Sequence, residues 1–394
     1  MKRDGLVEAV RKTLTPLPAP HERHFGVVPA APPEHSIQLG TRTHRLQAAI
    51  AAIAQIDQLA ATMNDPFYVS RILVRQEAVS SSSIEGIHST LDELLELEEE
   101  FVESRGEAEQ VRDYALVMES VIPQARASGP EIFDLQFISD LHRALMIHDP
   151  DYRDVPGELR EKVVWIGGLR DIAQSTFNPP PPKEVPRCVA DTISYLRDEG
   201  MQAMSQSIVE RMAIAHAHFE AVHPFLDGNG RVGRILMAVA MAANRHAPLY
   251  LSPYIEANKQ AYVNALKAAQ QRLEWGEIVT FIADAIVGTA AEIRHTRDAL
   301  AEMAERWMRR RKFRTNSAAE RSLEVLPNYP VMTVARLASS LSVSFRSANT
   351  AIEQLVQAGI LRERTGYSRN RIFIAPEVFR IINRPFGEMV ELDE

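Results

Sequence analysis

The chain has 394 residues, of which 45% are hydrophobic and 24% charged, which indicates two or three globular domains rather than a disordered protein. Its single cysteine, Cys188, excludes an intrachain disulfide framework and favours a reducing compartment. The N-terminus lacks the apolar core of a signal peptide, and no run approaches the roughly 18 apolar residues of a membrane span. We therefore expect a cytoplasmic protein without membrane contact.

The net charge of −8 is unevenly distributed along the chain. From Arg309 to Arg384 there are 14 Lys and Arg residues against 5 Asp and Glu residues, whereas the first 308 residues carry a balance of −13. An acidic body followed by a basic module indicates two tasks, one of them open to an anionic partner.

The first part of the chain predicts an extended arm followed by helices. The proline-rich stretch 13–33 favours an extended arm, because proline cannot donate a hydrogen bond within a helix. Apolar residues at helical spacing predict helices over 41–59, 66–85, 107–126 and 134–145. The acidic run 92–103 is interpreted as the solvated face of a helix.

A break in the helical pattern spans 156–182 and ends in four consecutive prolines. Within it, the β-favouring run 163–166 precedes a Gly-Gly turn, and 174–177 can pair back to form a hairpin. Helices predominate from there to about Arg311. The basic cluster that follows is interpreted as the end of a helix leading into a last domain.

The most informative segment is HPFLDGNGRVGR at 223–234. Apolar helical patterns precede and follow it, so its polar residues occupy a loop that leads into a helix N-terminus. Gly228 and Gly230 allow backbone amides to turn toward one point, where the helix dipole adds positive potential. These features are typical of an anion site.

The charged residues of this segment suit phosphate chemistry. Arg231 and Arg234 lie three apart on the first helical turn and can both bind phosphate oxygens. Asp227 is an oxygen ligand suited to a Mg²⁺ ion held mainly by phosphates. His223 can take a proton from an attacking hydroxyl. A glycine-rich helix cap with surface arginines would explain each residue alone, but not all of them within twelve positions.

The segment resembles the signature HxFx(D/E)GNGRxxR of the Fic family, and every fixed position matches. The resemblance extends over about 16–293. It implies a helical core with a small β-hairpin flap that transfers AMP from ATP to Ser, Thr or Tyr of a target protein. Relatives that transfer phosphate carry lysine at the position of Gly230, so its absence favours AMP transfer.

The resemblance also implies the role of each motif residue, with ATP and Mg²⁺ as cofactors. His223 is the general base, Asp227 holds Mg²⁺ on the α- and β-phosphates, and Arg234 reaches the γ-phosphate. Phe225 anchors the loop in the core. The rest of the phosphate chain is held by the amides of Gly228, Asn229 and Gly230 and by the side chain of Arg231.

Two further sets of residues are candidates by the same resemblance. Val164, Trp165 and Ile166 lie in the predicted flap, which adds a strand to the target and aligns its hydroxyl. An ordinary surface hairpin is the alternative. Tyr254 and Tyr262 follow the motif on a helix, where they either face the adenine or belong to the core.

A second signal is SSSSIEGI at 80–87, where a predicted helix ends. Ser81, Glu85 and Gly86 match the fixed positions of the (S/T)xxxE(G/N) pattern of Fic inhibitory helices, and Gly86 suits a left-handed terminator. The resemblance implies that Glu85 pairs with Arg234, since a carboxylate and a phosphate compete for one guanidinium. Two alternatives stay open: a surface glutamate that ends a helix, and a base that activates water to remove AMP.

The basic C-terminal module resembles a winged helix-turn-helix. Ser317 and Glu320 predict a capping box, and Ser344 is the expected cap of the third helix. Helices are also expected over 333–342 and to about 358, with strands over 361–364 and 371–374. The candidate nucleic-acid contacts are Arg346, Asn349 and Thr350 on the third helix, and Arg369 and Arg371 on the wing. Dimerisation or protein binding is the alternative.

Together these patterns predict a mainly α protein with three domains. They are an N-terminal arm with helices over 1–105, a Fic catalytic core over 106–305 and a winged helix-turn-helix over 306–385. The leading hypothesis is a self-inhibited protein adenylyltransferase that acts on an unidentified protein, with self-modification and a homodimer left open. The rival hypothesis is a DNA-binding regulator whose Fic site senses nucleotide or modifies only itself.

Overall fold

The computed structural model describes residues 1–62, 70–99, 106–169, 171–365 and 371–390. The chain divides into two compact units. Met1–Asp57 and Asp113–Val287 form the first unit, and Gln58–Arg112 and Gly288–Glu394 form the second unit. Within the described residues, no helix is both long enough and apolar enough to cross a membrane.

The chain is mainly helical, as its sequence predicts. The helices are α1 (Glu8–Arg11), α2 (Thr43–Thr62), α3 (Ser70–Ile84), α4 (Leu91–Glu99), α5 (Glu107–Ser128), α6 (Leu135–Met146), α7 (Val185–Leu196), α8 (Gln202–Ser205), α9 (Ile208–Val222), α10 (Asn229–Ala243), α11 (Ser252–Ala257), α12 (Lys259–Arg272), α13 (Trp275–Arg310), α14 (Ala318–Val325), α15 (Val334–Leu341), α16 (Phe345–Gln357) and α17 (Pro376–Ile382). The strands are β1 (Leu14–Pro16), β2 (Phe25–Val27), β3 (Val331–Thr333), β4 (Arg362–Glu363) and β5 (Ile372–Ile374).

Helix α9 lies at the centre of the first unit, and all its residues except Ile208 and Arg211 are buried. Helices α7, α10 and α12 pack against it. A capping box begins the helix, because Ser207 Oγ accepts from Glu210 N at 3.3 Å while Glu210 Oε2 accepts from Ser207 N at 2.8 Å. Since α10 is also buried along most of its length, the connecting loop 223–228 is held at both ends.

The proline-rich arm is extended, as predicted. Strands β1 and β2 pair in antiparallel fashion within it, with Leu14 opposite Val27. Further along, Glu210 Oε1 accepts a hydrogen bond from Ile37 N at 3.1 Å. The capping carboxylate of α9 therefore also holds the chain that follows the arm against this helix.

The predicted hairpin of 163–177 is smaller than its sequence indicates. In the described part of this segment, one antiparallel bridge between Ile166 and Phe177 replaces the two expected strands. The Gly-Gly turn is confirmed, with φ of +72° at Gly167 and +74° at Gly168, values that favour glycine. A 3-10 turn over Ile172–Gln174 shortens the returning strand because its backbone bonds locally.

The C-terminal part of the second unit contains α14, α15, α16, α17 and an antiparallel sheet in the order β3-β5-β4. Helices and two of these strands were predicted at these places, and the assignment as a winged helix-turn-helix stays a prediction. Ser344 Oγ accepts from Ser347 N at 3.2 Å, which confirms the cap of the third helix. Strand β3 was not expected, because three residues are too short to show alternation. The wing residue Arg369 lies outside the described residues.

The capping box expected at Ser317 is only half formed. Ser317 Oγ accepts from Glu320 N at 3.3 Å, as predicted. Glu320, however, accepts from the amide of Asn316 at 2.6 Å rather than from Ser317. The carboxylate reaches one residue further back because Asn316 has a positive φ of 59°, which turns its amide toward the helix.

The acidic run is a solvated helix face only in part: in α4, Glu93 is exposed whereas Glu99 is buried, and 100–103 lie outside the described residues. Leu91 and Leu95 belong to one buried cluster with Ile72 of α3 and Trp307 near the end of α13. Several acidic side chains of α4 pair with arginines instead of facing water alone. Because hydrophobic and acidic residues alternate at helical spacing here, one face of α4 packs into the core.

The two units also divide the chain differently from the three expected domains. Helices α3 and α4, expected to belong with the N-terminal arm, contribute to the hydrophobic cluster of the C-terminal helices. From the arm, Val27 lies in one buried cluster with Ala221 of α9. Packing partners that lie far apart along the chain leave no signal in local periodicity, so the sequence did not indicate this division.

Candidate active site

Helix α9 ends at Val222, and His223 follows it in the left-handed conformation with φ 49° and ψ 63°. Its amide still donates to Phe219 O at 2.9 Å. A left-handed histidine is uncommon, and such residues concentrate where a precise side-chain direction is needed. The chain therefore turns sharply at His223, which is half-buried, instead of continuing the helix.

The loop after His223 is held by its own side chains. Asn229 Oδ1 accepts from Phe225 N at 2.8 Å, and Asn229 Nδ2 donates to Phe225 O at 2.9 Å. The fully buried Phe225 ring stacks on the His142 ring of α6, with centroids 3.8 Å apart. The side-chain amide of Asn229 thus bonds to the backbone of Phe225 within the loop, and the Phe225 ring is anchored in the core.

His142 also fixes the backbone at the loop's acidic residue. Its Nε2 donates to Asp227 O at 3.0 Å, and its Nδ1 accepts from Gly157 N at 2.8 Å. Burial lowers the pKa of His142 to about 4, which keeps the imidazole neutral at physiological pH. The side chain of Asp227 is exposed, and Asp227 Oδ1 accepts from Gly228 N at 2.6 Å.

Helix α10 begins directly after Gly228, which has a φ of +76°. A Cβ atom at Gly228 would lie 2.8 Å from Met146 Sδ. The position therefore requires glycine both for its backbone conformation and for the space around it. Free first-turn amides of a helix and its dipole attract anions, so the N-terminus of α10 is suited to phosphate.

Arg231 is only 1% exposed, yet its guanidinium is incompletely bonded. Nη2 lies 3.0 Å from Met146 Sδ and 3.7 Å from Asp149 Oδ2. Within the described part of the chain, Nε and Nη1 have no hydrogen-bond partner. Buried donors without partners are costly, so these two atoms suit an anionic ligand such as a phosphate. Arg234, one turn further, is 2% exposed.

Gly228→Ala is expected to destabilise the first unit by more than the usual cost of placing alanine in a left-handed backbone conformation. The left-handed backbone alone costs about 1–2 kcal/mol, and crowding against Met146 adds about 1–3 kcal/mol. Gly129→Ala is the matched control, because Gly129 has φ +66° and its Cβ would meet only Ala243 O at 3.8 Å. Denaturant unfolding of both variants checks the difference, and equal losses would contradict the crowding.

The two tyrosines considered for the adenine occupy different environments. Tyr262 is 4% exposed, and its hydroxyl hydrogen-bonds to His216 Nε2 at 2.6 Å. Tyr254 is half-buried, and its ring meets Phe281 edge-on at 5.7 Å. Tyr262 therefore lies in the core, while contact of Tyr254 with adenine stays a prediction.

The flap candidates lie at or beside the bridge between Ile166 and Phe177. Val164, Trp165 and Ile166 are all partly exposed. Trp165 Nε1 donates to Leu169 O at 3.1 Å, and Ile166 N donates to Phe177 O at 2.8 Å. Their role in aligning a target stays a prediction.

The residues of the inhibitory pattern lie at the end of α3 in the second unit. Ser81 is buried, Glu85 is exposed, and Gly86 has a φ of +87°. Ile87 N donates to Ser82 O at 3.1 Å, which closes the helix end. The expected left-handed terminator is thus confirmed.

The candidate nucleic-acid contacts of the C-terminal module bond partly to one another. Arg371 Nη2 donates to Asn349 Oδ1 at 3.2 Å, and Asn349 Nδ2 donates to Glu353 Oε1 at 2.7 Å. Arg346 is exposed on α16, as expected, and Thr350 is exposed one turn later. The structure therefore brings Asn349 and Arg371 together.

Three residues near the motif loop were not identified from the sequence: His142, Asp149 and Arg160. Each belongs to the chain before the motif and lacks a local pattern of its own. Arg160 follows Pro156 and Gly157, so a turn was the only available signal. Their place became evident only from the packing around the loop.

Two family patterns match the chain. The pattern described as Fic/DOC family matches residues 132–241, which include the whole motif. The pattern described as Fic/DOC family N-terminal matches residues 43–122, which include Glu85.

Curated relatives match parts of the chain. The probable protein adenylyltransferase aq_aa38 of Aquifex aeolicus is 34% identical over 118 residues, 30% of this chain and 32% of that protein. The protein adenylyltransferase Fic of Drosophila yakuba is 28% identical over 214 residues, 53% of this chain and 39% of that protein. The chain thus spans well under two thirds of either relative.

A solved structure of a Fic family protein from Desulfovibrio desulfuricans G20 matches with a TM-score of 0.52 and 18% identity. It covers 87% of this chain and 98% of that chain. At 18% sequence identity, this structural similarity supports a shared fold and nothing further.

Proposed function

We propose that the chain is a member of the Fic/DOC family, two patterns of which it matches, and that it transfers AMP from ATP to a side-chain hydroxyl of a protein. The observation that carries the proposal is the loop between α9 and α10. It combines a left-handed histidine at one end, a helix N-terminus at the other, and the buried Arg231 with two unbonded donor atoms. A base and an anion site are the groups that nucleotidyl transfer needs.

The transfer exchanges one phosphorus–oxygen bond for another. The target hydroxyl oxygen attacks the α-phosphorus, the bond from that phosphorus to the bridging oxygen of the β-phosphate breaks, and pyrophosphate leaves. His223 takes the hydroxyl proton as the new bond forms. The amides at the start of α10 and the Arg231 guanidinium bind the phosphate chain and hold it in line for the attack.

Mg²⁺ fits the residues present. Asp227 is an exposed carboxylate beside the helix N-terminus, and Mg²⁺ is commonly bound by one or two carboxylates together with substrate phosphates. Asp227 would hold the ion, which when bound neutralises charge on the α- and β-phosphates. The hydrogen bond from Gly228 N orients the Asp227 carboxylate for this purpose.

Self-inhibition by Glu85 is part of the proposal. Glu85 would pair with Arg234 and thereby take the group that the γ-phosphate needs. The pattern of Ser81, Glu85 and Gly86, together with the confirmed helix terminator, supports this role. Removal of AMP by water that Glu85 activates stays an alternative, which release of AMP from labelled protein would reveal.

DNA binding and homodimerisation stay predictions for the C-terminal module. The exposed Arg346 favours an anionic partner, whereas Arg364 and Arg371 pair with Glu96 and Glu363 at 3.0 and 3.4 Å. These carboxylates reduce the positive field that duplex DNA would meet. A salt-sensitive affinity for duplex DNA that falls on Arg346→Ala would support the DNA-binding alternative.

The test is transfer of label from ATP to protein. Purified Glu85→Gly protein is incubated with Mg²⁺ and ATP labelled at either the α- or the γ-phosphate, in cell lysate and alone. Label from the α-position only is expected, since AMP and not phosphate is transferred. Absence of label while ATP still binds would contradict the proposal, and label from the γ-position would indicate phosphate transfer.

A further inference from the structure

Arg160 is a buried cation that is bonded to backbone carbonyls from two parts of the first unit. It is 3% exposed, and burial lowers its pKa to about 10, which leaves it protonated at neutral pH. Within the described residues, no carboxylate forms an ion pair with it. Its charge instead faces the carbonyl end of α9, where the helix dipole favours a cation.

Three of its contacts hold the backbone around the proposed base. Arg160 Nε donates to His223 O at 2.7 Å, and Nη2 lies 3.3 Å from Val222 O. The Arg160 amide also donates to Pro224 O at 2.9 Å. These bonds hold the three consecutive carbonyls at the point where His223 leaves the helix in its left-handed conformation.

Its other contacts lie on either side of the flap segment 163–177. Nη1 donates to Lys162 O at 3.1 Å, just before the segment, and Nη2 donates to Pro180 O at 2.7 Å, just after it. One planar guanidinium therefore joins both ends of the flap to His223. Its rigid fork fixes their relative positions better than a flexible ammonium could.

The geometry points to Arg160 as a positioning residue that aligns a hydroxyl held by the flap with the His223 imidazole. This inference rests on the proposed function. Among the described residues, the hydrogen bonds of Arg160 go to Lys162, Pro180 and the carbonyls of 222–224 and not to α10, so it acts on the alignment of the acceptor and the base. Loss of Arg160 should therefore slow AMP transfer while ATP affinity is retained.

The test compares Arg160→Ala and Arg160→Lys in the Glu85→Gly protein. At saturating ATP the transfer rate is expected to fall about a hundredfold, as for a small misplacement of reacting groups. Calorimetric affinity for a non-hydrolysable ATP analogue should be unchanged, and added guanidinium ion should partly restore transfer by Arg160→Ala. The control is Arg126→Ala, because Arg126 also binds a carbonyl, His246 O at 2.9 Å, but at an exposed place.

A spectroscopic measurement separates this inference from the proposed function. The His223 imidazole signal in NMR spectra, assigned by its loss in His223→Ala, should shift or split in Arg160→Lys and stay unchanged in Arg126→Ala. An unchanged signal and rate, or a rate loss explained by weaker ATP binding, would overturn the role of Arg160. Absence of label in the Glu85→Gly parent would instead overturn the proposed function, and the NMR result would still decide the role of Arg160.

A second inference comes from the second unit, where the helices on both sides of Glu85 pack against C-terminal elements. On α3, Ile72 lies in the cluster that contains Trp307, and Gln76 Nε2 donates to Ile382 O at 2.6 Å. Arg71 Nη1 donates to Asn328 O at 2.9 Å. Helix α3 is thus bonded to the backbone before β3 and at the end of α17.

Helix α4 makes a matching set of charged contacts. Glu99 pairs with Arg336 of α15 at 2.7 Å, and Glu96 pairs with Arg364 after β4 at 3.0 Å. Arg75 of α3 pairs with Glu98 of α4 at 2.8 Å, which joins the two helices. The connection 85–90, which contains Glu85, is therefore held at both ends by helices that pack on the C-terminal module.

We propose that the C-terminal module controls Glu85 through α3 and α4. Because both helices are anchored on this module, a change at its surface would be transmitted to the connection that contains Glu85. The module would then be the place where inhibition is relieved. This inference also rests on the proposed function, since Glu85 must restrain a reaction for its release to matter.

Weakening the α4 contacts should release inhibition without changing the catalytic residues. Glu99→Gln with Arg336→Gln is expected to raise AMP transfer roughly fivefold or more in the otherwise unaltered chain. In the Glu85→Gly chain the same pair should change nothing, because Glu85 no longer contributes. The control is Arg309→Gln, since Arg309 is exposed and lies 3.7 Å from Glu305 of its own helix.

Hydrogen exchange tests the same coupling without a reaction. Amides at the end of α3 should exchange faster in the Glu99→Gln, Arg336→Gln protein than in Arg309→Gln. Unchanged exchange and unchanged transfer would overturn the coupling. Equal activation with and without Glu85 would also overturn it, because the effect would then bypass the inhibitory residue.

Discussion

His223→Ala is expected to reduce AMP transfer by about 10²–10⁴-fold, the usual contribution of a general base. His223 directly follows the end of α9 in a left-handed turn, and its imidazole is the group proposed to accept the hydroxyl proton. The affinity for ATP should be nearly unchanged, because the proposed phosphate contacts come from α10. The measurement is label transfer from α-labelled ATP at saturating concentration in the Glu85→Gly background.

The control for this variant is His44→Ala, which removes an exposed histidine of α2. Its transfer rate should equal that of the parent. If His223→Ala lost ATP binding as well as transfer, the histidine would act in holding the loop and not as the base. A rate equal to the parent would exclude His223 from proton transfer.

Glu85→Gly is expected to raise AMP transfer roughly tenfold or more, within the range of typical coupling between sites. The physical reason is competition, because a carboxylate that pairs with Arg234 excludes the γ-phosphate from the same guanidinium. Glu85→Gln should activate less than Glu85→Gly, since the amide keeps a neutral acceptor. Initial rates of label transfer for the three chains measure the effect.

Glycine also loosens a helix end, so a separate control is needed. Ser83→Gly adds the same backbone freedom to α3 but keeps the Glu85 carboxylate, and it should not activate. Equal activity of the unaltered chain and Glu85→Gly would contradict self-inhibition. Activation by Ser83→Gly would show that helix order, and not the carboxylate, restrains transfer.

The local features of the candidate site were predictable because they depend on residue types at fixed spacing. The loop between two buried helices, the left-handed Gly86 and the Gly-Gly turn at 167–168 follow from glycine placement and apolar periodicity. The flap strands were overestimated, because β-favouring residues do not form strands when a nearby turn satisfies their backbone. The packing of α4 against the C-terminal helices was not predicted. Acidic residues predict a solvent-exposed helix face, and the arginines that pair with them lie far away along the chain.

By itself, the sequence determined the helical class, the motif loop and the candidate chemistry of His223, Asp227 and the two arginines. These depend on contacts between residues close together along the chain. Only the tertiary structure decided that Arg160 joins the flap ends to His223 and that α3 and α4 pack on the C-terminal module. Such contacts join distant residues, and their energy comes from burial and pairing that no local pattern records.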